Sequence, residues 1–266
     1  MTSSRQDHIK IVKTKDGSNT AYSTRFNQHY HNPNGAVAES MHVFFDSLKI
    51  ESRLSKDNEI NIFETGFGTG LNLFLLLSLR QNLESNSHIR YFSVESNPIT
   101  TAEAMIINSE QVQNLENSNE IVSKVFNMLN RKEGLSNLDI SENITVEIFQ
   151  GKFSQLPVNK PGFKANYIFH DPFSPDINPE LWTVSVFEKL ASVSDRNVLL
   201  ATYCAASKAR AAMAAAGWSV VRAPGALGKR EMSVAALNPE ILDNPAWKRV
   251  NEKRLAERFY PDHFLS

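Results

Sequence analysis

From residue 60 to residue 217 the chain alternates short apolar runs with longer stretches whose apolar positions recur every three or four residues. The short runs predict strands over 60–64, 89–95, 144–149, 165–170 and 197–203. The longer stretches predict helices over 71–79, from Pro98 onward, over 181–193 and over 205–216, where Gly217 supplies the stop. Residues 110–140 also read as helical, with Leu115, Ile121, Val122, Val125, Phe126 and Leu129 as a buried stripe. Two further runs, 218–223 and 232–237, flank a turn from Pro224 to Arg230. This alternation predicts an α/β chain with a parallel sheet covered by helices on both faces, and the closing strand pair predicts an antiparallel edge. Upstream, residues 9–35 are polar, with turn signals at Asp16-Gly17 and Asn32-Pro33, and predict a small hairpin. A helix is expected over 36–48 with Val37, Met41, Phe44, Phe45 and Leu48 inward, which leaves Glu39, Ser40 and His42 as ordinary surface residues. Residues 239–258 read as a helical tail. The expected division is an N-terminal extension (1–50) packed on the core, a main domain (51–240) and a C-terminal tail (241–266).

Composition narrows the class. Of 266 residues 41% are hydrophobic and 21% charged, enough for a sizeable core. The net charge is −1, so contact with nucleic acid requires a local basic patch. One cysteine, Cys204, excludes an internal disulfide and a multi-cysteine metal site, and no metal site is expected. The polar start carries no signal-peptide core, and no apolar run reaches the ~18 residues of a membrane span. A soluble cytoplasmic protein without a membrane partner is expected.

The first strand ends in Glu64 and runs into Thr65, Gly66, Phe67, Gly68, Thr69 and Gly70, and Asn72 opens the next helix. Alternating glycines allow tight turns and close approach of a ligand, and the following helix start favours a nucleotide-like group. Dinucleotide enzymes use a related loop, so the loop alone is weak. Glu95 ends the second strand thirty-one positions after Glu64, one strand–helix–strand unit later, where an acid can accept ribose hydroxyls. No second dinucleotide-binding half follows. Glu64 suits the amino end of a methionine moiety, although an acid there could also simply cap the turn. The two acids together fit S-adenosylmethionine.

Asp171, Pro172 and Phe173 end the fourth strand, beside that loop in this topology. Their order is similar to the Asp/Asn-Pro-Pro-aromatic motif of methyltransferases acting on exocyclic amines. A carboxylate and a proline-fixed carbonyl can accept hydrogen bonds from an amine, and an aromatic ring can pack on a planar base. Methyl transfer then depends mainly on positioning, with the carboxylate available as general base.

The combination of motifs resembles the MnmC-type methyltransferases over roughly residues 11–237. The loop from Glu64 to Asn72 is similar to that family's cofactor loop. His170 through Pro175, followed by Asn178, Pro179 and Trp182, resembles its Asp-Gly-Phe-x-Pro-x-x-Asn-Pro-x-x-Trp block, and Lys229, Arg230, Glu231 and Met232 its Lys-Arg-Glu-Met signature. The segment from Asp16-Gly17 through Tyr30, Gly35 and Glu39-Ser40 is similar to the family's start. The resemblance implies a class I S-adenosylmethionine-dependent fold, Rossmann-like, with a mostly parallel seven-stranded sheet and an antiparallel edge strand. It implies methylation of a 5-aminomethyl-2-thiouridine at the wobble position of the tRNA anticodon, giving the 5-methylaminomethyl form. Asp171, Pro172 and Phe173 are the expected catalytic residues, although Asp-Pro-Phe-Ser-Pro could also be simply a proline-rich loop, and substrate contacts are expected from Phe173, Trp182, Lys229, Arg230 and Glu231. The flavin oxidase domain of bifunctional members is not expected in this chain.

Two departures matter. Lys152 follows Gly151 where the family has an acid for the adenine amine, which shifts that contact to backbone or Gln150. Pro172 replaces a glycine and stiffens the acceptor loop. Cations for RNA could come from Lys229 and Arg230 or from Lys248, Arg249, Lys253, Arg254 and Arg258, although the tail could equally form a solvated face of helical ion pairs. Methylation of another exocyclic or small-molecule amine, and a non-catalytic cofactor-fold binding module, stay open as alternatives.

Overall fold

Nine strands of the computed structural model, which describes residues 9–157 and 163–261, share one sheet. Five are parallel: β4 (Glu59–Thr65), β5 (His88–Glu95), β7 (Ile144–Gln150), β8 (Ala165–His170) and β9 (Ser194–Thr202). They lie in the order β9-β8-β4-β5-β7, so the chain starts in the middle and winds outward both ways. The helices α3 (Leu71–Asn82), α4 (Thr101–Asn108), α5 (Ser118–Leu129), α6 (Val184–Ser192) and α7 (Ser207–Ala215) connect the strands. In β4 residues 60–65 are all buried, as expected of a central parallel strand covered on both faces, and they include the polar Asn61, Glu64 and Thr65.

The antiparallel part is larger than expected. β10 (Ser219–Pro224) and β11 (Glu231–Ala236) form the hairpin the sequence indicated, and β11 inserts between β9 and β10. A two-residue strand, β12 (Lys248–Arg249), extends that edge within the expected helical tail, and only Glu252–Phe259 (α8) is helical there, besides a short turn at Pro239–Ile241. At the other edge β6 (Gly134–Ser141) pairs antiparallel with β7, in a stretch read as helix. Its alternating burial leaves Leu138 and Ile140 packed on the core. The helical stripe ends at Leu129, and a polar edge strand carries little periodic apolar signal of its own, being held by its ladder with β7. Nine strands thus stand where seven were expected.

Upstream, β1 (Ile9–Lys13), β2 (Asn19–Ser23) and β3 (Gln28–His29) form a three-stranded meander rather than a two-stranded hairpin. The following helix is not uniform. α1 (Ala36–Ser40) widens into a π-turn over Met41–Asp46, and α2 (Ile50–Leu54) begins after Lys49 in the left-handed region. The wider coil buries Val43, Phe44 and Phe45 in succession. Phe44 stacks on Phe169 of β8 at 4.9 Å, so this segment joins the main core. Among the described residues no helix is long and apolar enough to cross a membrane, and no group of three or more metal-ligating side chains occurs.

Candidate active site

The C-terminal ends of β4 and β8 meet at a backbone crossing. The Asp171 N–H donates to the Thr65 carbonyl at 3.0 Å. Gly66 sits so close to the Asp171–Pro172 backbone that a Cβ would lie 2.9 Å from the Asp171 carbonyl oxygen, and its φ of +87° favours glycine independently. The glycine loop and the Asp-Pro-Phe loop are therefore one packed unit. Gly70 is fixed differently, because a Cβ there would meet the Phe74 ring at 2.8 Å. Phe67 points inward onto Phe126, so only its backbone belongs to the loop surface.

A polar chain runs through this junction. The Asn72 amide donates to Glu64 Oε1 at 3.0 Å and to Asp171 Oδ2 at 3.2 Å, while Ser93 Oγ donates to Glu64 Oε2 at 2.9 Å. Burial pushes the Glu64 carboxyl up to about 8, against the hydrogen bonds of Asn72 and Ser93. Burial also raises Asp171 well above its ordinary range, with the charges of Glu64 and Glu39 adding to the effect and Lys229 opposing it. Glu95 is raised by burial too, and its two oxygens take the Gly68 N–H at 2.8 Å and the Asn97 N–H at 2.7 Å. Thr65 Oγ1 and Asn72 Oδ1 are buried with no hydrogen-bond partner among the described residues. Thr69 Oγ1 meets His31 Nε2 at 2.8 Å, which ties the loop to the N-terminal segment.

Glu64 gives a stability prediction with a definite sign. Its carboxyl ionises near 4.5 in the unfolded chain and near 8 when folded, so between those values the folded state holds the extra proton. Its contribution is fully present below about 4.5 and is lost as pH rises through 8. The melting temperature of the ligand-free protein should fall across that window, and Glu64→Gln should flatten the fall. Parallel pH slopes for the two proteins would refute it.

Beside the loops lies a cleft of about 540 Å³, lined among others by Tyr30, Glu39, Asp171, Phe173, Tyr203 and Lys229. Phe173 packs against Phe26 at 4.9 Å and Tyr30 at 5.1 Å. The Tyr203 hydroxyl donates to the Pro172 carbonyl at 2.8 Å, so that carbonyl, an expected amine acceptor, already has a partner. Lys229 Nζ lies 2.6 Å from Glu39 Oε1 and 5.1 Å from the Tyr203 ring centroid.

Several expected site residues are placed elsewhere. Trp182 is buried, packs edge-on against His170 and donates its indole N–H to the Phe173 carbonyl at 2.9 Å. It supports the acceptor loop from below rather than facing the cleft. Gln150, in the amide orientation that satisfies its neighbours, donates to the Leu129 and Lys132 carbonyls at 2.7 Å and is committed to the end of α5. Gly151 continues the strand edge, its N–H bonded to the Glu95 carbonyl at 2.8 Å. Glu231 is held by Arg210 at 3.0 Å and Arg222 at 3.4 Å, and these arginines keep its carboxyl low despite partial burial. Arg230 is exposed on the β10–β11 turn.

Conversely, Tyr30, Glu39 and Tyr203 line the cleft without having been singled out for it. Glu39 lies on a helix stretch that the apolar pattern marks as surface, and Tyr203 ends an apolar strand. Tyr30 and Glu39 carry a signal only through the segment's resemblance to the family's start, which gives them no role, and Tyr203 carries none beyond a polar group at a strand end.

Residues 115–238 match the model of a family described as S-adenosyl-L-methionine-dependent methyltransferase. The chain is 31% identical over 253 residues to the tRNA 5-methylaminomethyl-2-thiouridine biosynthesis bifunctional protein MnmC of Leptospira interrogans, covering 91% of this chain and 37% of that protein. The protein of the same name from Cupriavidus metallidurans is 31% identical over 231 residues, covering 86% and 34%. The chain thus spans little more than a third of the length of these curated relatives. The crystal structure of MNMC2 from Aquifex aeolicus superposes with a TM-score of 0.70 at 24% identity, covering 96% of this chain and 77% of that one. The central β7-β5-β4-β8-β9 order with β11 inserted before β10 agrees with that likeness. With this sheet and that superposition, the chain has the class I methyltransferase fold, and its segment 115–238 is similar to the family described as S-adenosyl-L-methionine-dependent methyltransferase.

Proposed function

We propose that the protein methylates the amine of a 5-aminomethyl-2-thiouridine at the wobble position of the tRNA anticodon, in the cytoplasm. The observation that carries this reading is the Asn72 amide, which joins Glu64 on the cofactor loop to Asp171 on the acceptor loop at 3.0 and 3.2 Å. Donor and acceptor are thereby held by one rigid polar unit. The similarity to proteins of tRNA 5-methylaminomethyl-2-thiouridine biosynthesis supports the choice of tRNA nucleoside.

The residues present fit S-adenosylmethionine. The Gly66 and Gly70 positions leave no room for side chains, and the unpartnered Thr65 Oγ1 and Asn72 Oδ1 are groups a ligand can satisfy. Glu64, a carboxyl destabilised by burial, is stabilised by a cation and so suits the methionine ammonium. Glu95 positions Gly68 and suits the ribose. Gln150 is engaged at α5, so the adenine contact falls to backbone near Gly151. When bound, the cofactor supplies a sulfonium-activated methyl group.

This chain's own work is to present a neutral amine in line with that methyl. Asp171 accepts a hydrogen bond from the amine and takes the proton it loses when the new carbon–nitrogen bond forms. Its raised affinity for protons makes the carboxylate a stronger base than an ordinary aspartate. The Asp171 N–H is bound by the Thr65 carbonyl, and Tyr203 and Trp182 fix the Pro172 and Phe173 carbonyls that follow, so Asp171 is held from both sides. Phe173, braced by Phe26 and Tyr30, offers a face for the uracil ring. The test is incubation of the protein with labelled S-adenosylmethionine and tRNA lacking the last methyl group, followed by nucleoside mass spectrometry. The 5-methylaminomethyl-2-thiouridine nucleoside is the expected product, and its absence defeats the proposal.

A further inference from the structure

A second hollow, of about 680 Å³, adjoins the acceptor cleft and shares Tyr203 and Lys229 with it. Its other walls include Arg210, Arg222, Arg230 and Glu231, so four cations surround a single carboxylate. Glu231 neutralises only part of this set. Arg210 is buried with each of its three nitrogens engaged, Nε on Ser233 Oγ at 2.8 Å, Nη2 on the Met232 carbonyl at 3.0 Å and Nη1 on Glu231 at 3.0 Å. It anchors the wall.

The other two arginines have capacity left. Arg222 makes one contact to Glu231, at 3.4 Å, and its Nε has no acceptor among the described residues. Arg230 is exposed and feels the charge of Glu231, but no hydrogen bond fixes its guanidinium among the described residues. In a chain of net charge −1, this cationic excess on one concave wall is a local arrangement, not a general basic surface. Guanidinium groups with unused donors present a planar fork of N–H groups that matches phosphate oxygens, each able to accept several hydrogen bonds.

We propose that this hollow is a phosphate subsite, and that Arg222 and Arg230 hold the backbone phosphodiester of the RNA nucleotide next to the one whose base enters the acceptor cleft. The inference rests on the RNA reading above and extends it. A free nucleoside or a small amine fills the cleft but leaves these donors unmet, so the hollow is what makes a polynucleotide the preferred substrate. Lys229 stands on the wall between the two spaces, bridged to Glu39 on the cleft side.

The test uses a fluorescein-labelled anticodon stem-loop carrying 5-aminomethyl-2-thiouridine, titrated across a salt series, together with turnover of the stem-loop and of the free nucleoside. Arg230→Ala should weaken stem-loop binding about tenfold and reduce the slope of log Kd against log salt by about 0.7–0.9, the release expected for one phosphate contact. The ratio of kcat/KM for stem-loop over nucleoside should fall by a similar factor. Arg222→Gln should act in the same direction, and because Arg230 is exposed and held by no hydrogen bond among the described residues, Arg230→Ala decides the matter even if the Arg222 variant is unstable. Unchanged salt slope and substrate ratio, or equal losses on both substrates, would overturn the subsite. Binding is read without turnover, so an inactive wild-type protein defeats the methylation reading alone, whereas an unaltered slope defeats the phosphate subsite alone.

Discussion

Asp171→Asn should lower kcat by about 10²–10⁴-fold while S-adenosylmethionine binds within a few-fold of the wild-type affinity. The range is what a positioned general base typically contributes. The amide keeps the size of the carboxylate and a polar contact to Asn72, so the loop geometry survives, but it cannot take the amine's proton. The pH profile separates this role from a purely structural one. Burial and the neighbouring carboxylates raise the Asp171 proton affinity, so its carboxylate fraction, and with it kcat/KM, increases as pH rises through a value well above the ordinary 3.8. The acceptor amine must also lose a proton, so the wild-type acidic limb reflects two groups and the variant's only one. A kcat within tenfold of wild type, or an unchanged acidic limb, would remove Asp171 from the proton transfer.

Gly66→Ala should be the most damaging change that leaves every functional side chain in place. The new methyl would lie 2.9 Å from the Asp171 carbonyl oxygen and 3.2 Å from the Pro172 Cα, and both are backbone atoms that cannot swing aside. Either the cofactor loop or the acceptor loop has to move, and a shift of about 1 Å in a positioned reactant can cost on the order of 10²-fold in rate. We expect a comparable loss in kcat/KM with at least a tenfold loss in S-adenosylmethionine affinity. Gly217→Ala is the matched control. Gly217 has the same φ of +87° but nothing within 4 Å of a Cβ, so it reports the left-handed backbone cost alone, about 1 kcal/mol. Equal effects of the two substitutions on activity would show that the contact between the loops is unimportant.

The two predictions probe a junction that the sequence indicates only by adjacency in topology. Strand ends at Glu64, Glu95 and His170 are readable because parallel core strands are apolar on both faces and stop abruptly at polar or glycine-rich loops. Trp182 and Gln150 show where that reading overreaches. Each lies next to a functional loop in sequence, yet one braces the loop from the core and the other is drawn to the end of α5. A motif specifies which residues occur together, not which way each side chain points.

The chain by itself determined the parallel α/β order, the glycine loop, and the placing of Glu64, Glu95 and Asp171 at strand ends. These follow from local rules: hydrophobic period, glycine conformational freedom and strand–helix spacing. Tertiary structure alone decided that β6 is a strand, that Glu39 crosses the cleft to Lys229, that Tyr203 holds Pro172, and that Arg222 and Arg230 face one hollow. The reason is sequence separation. Glu39 and Lys229 are 190 positions apart and meet only because α1 and the β10–β11 turn pack around the same end of the sheet. No periodicity or spacing records a contact between segments whose proximity is set by the folding of everything between them.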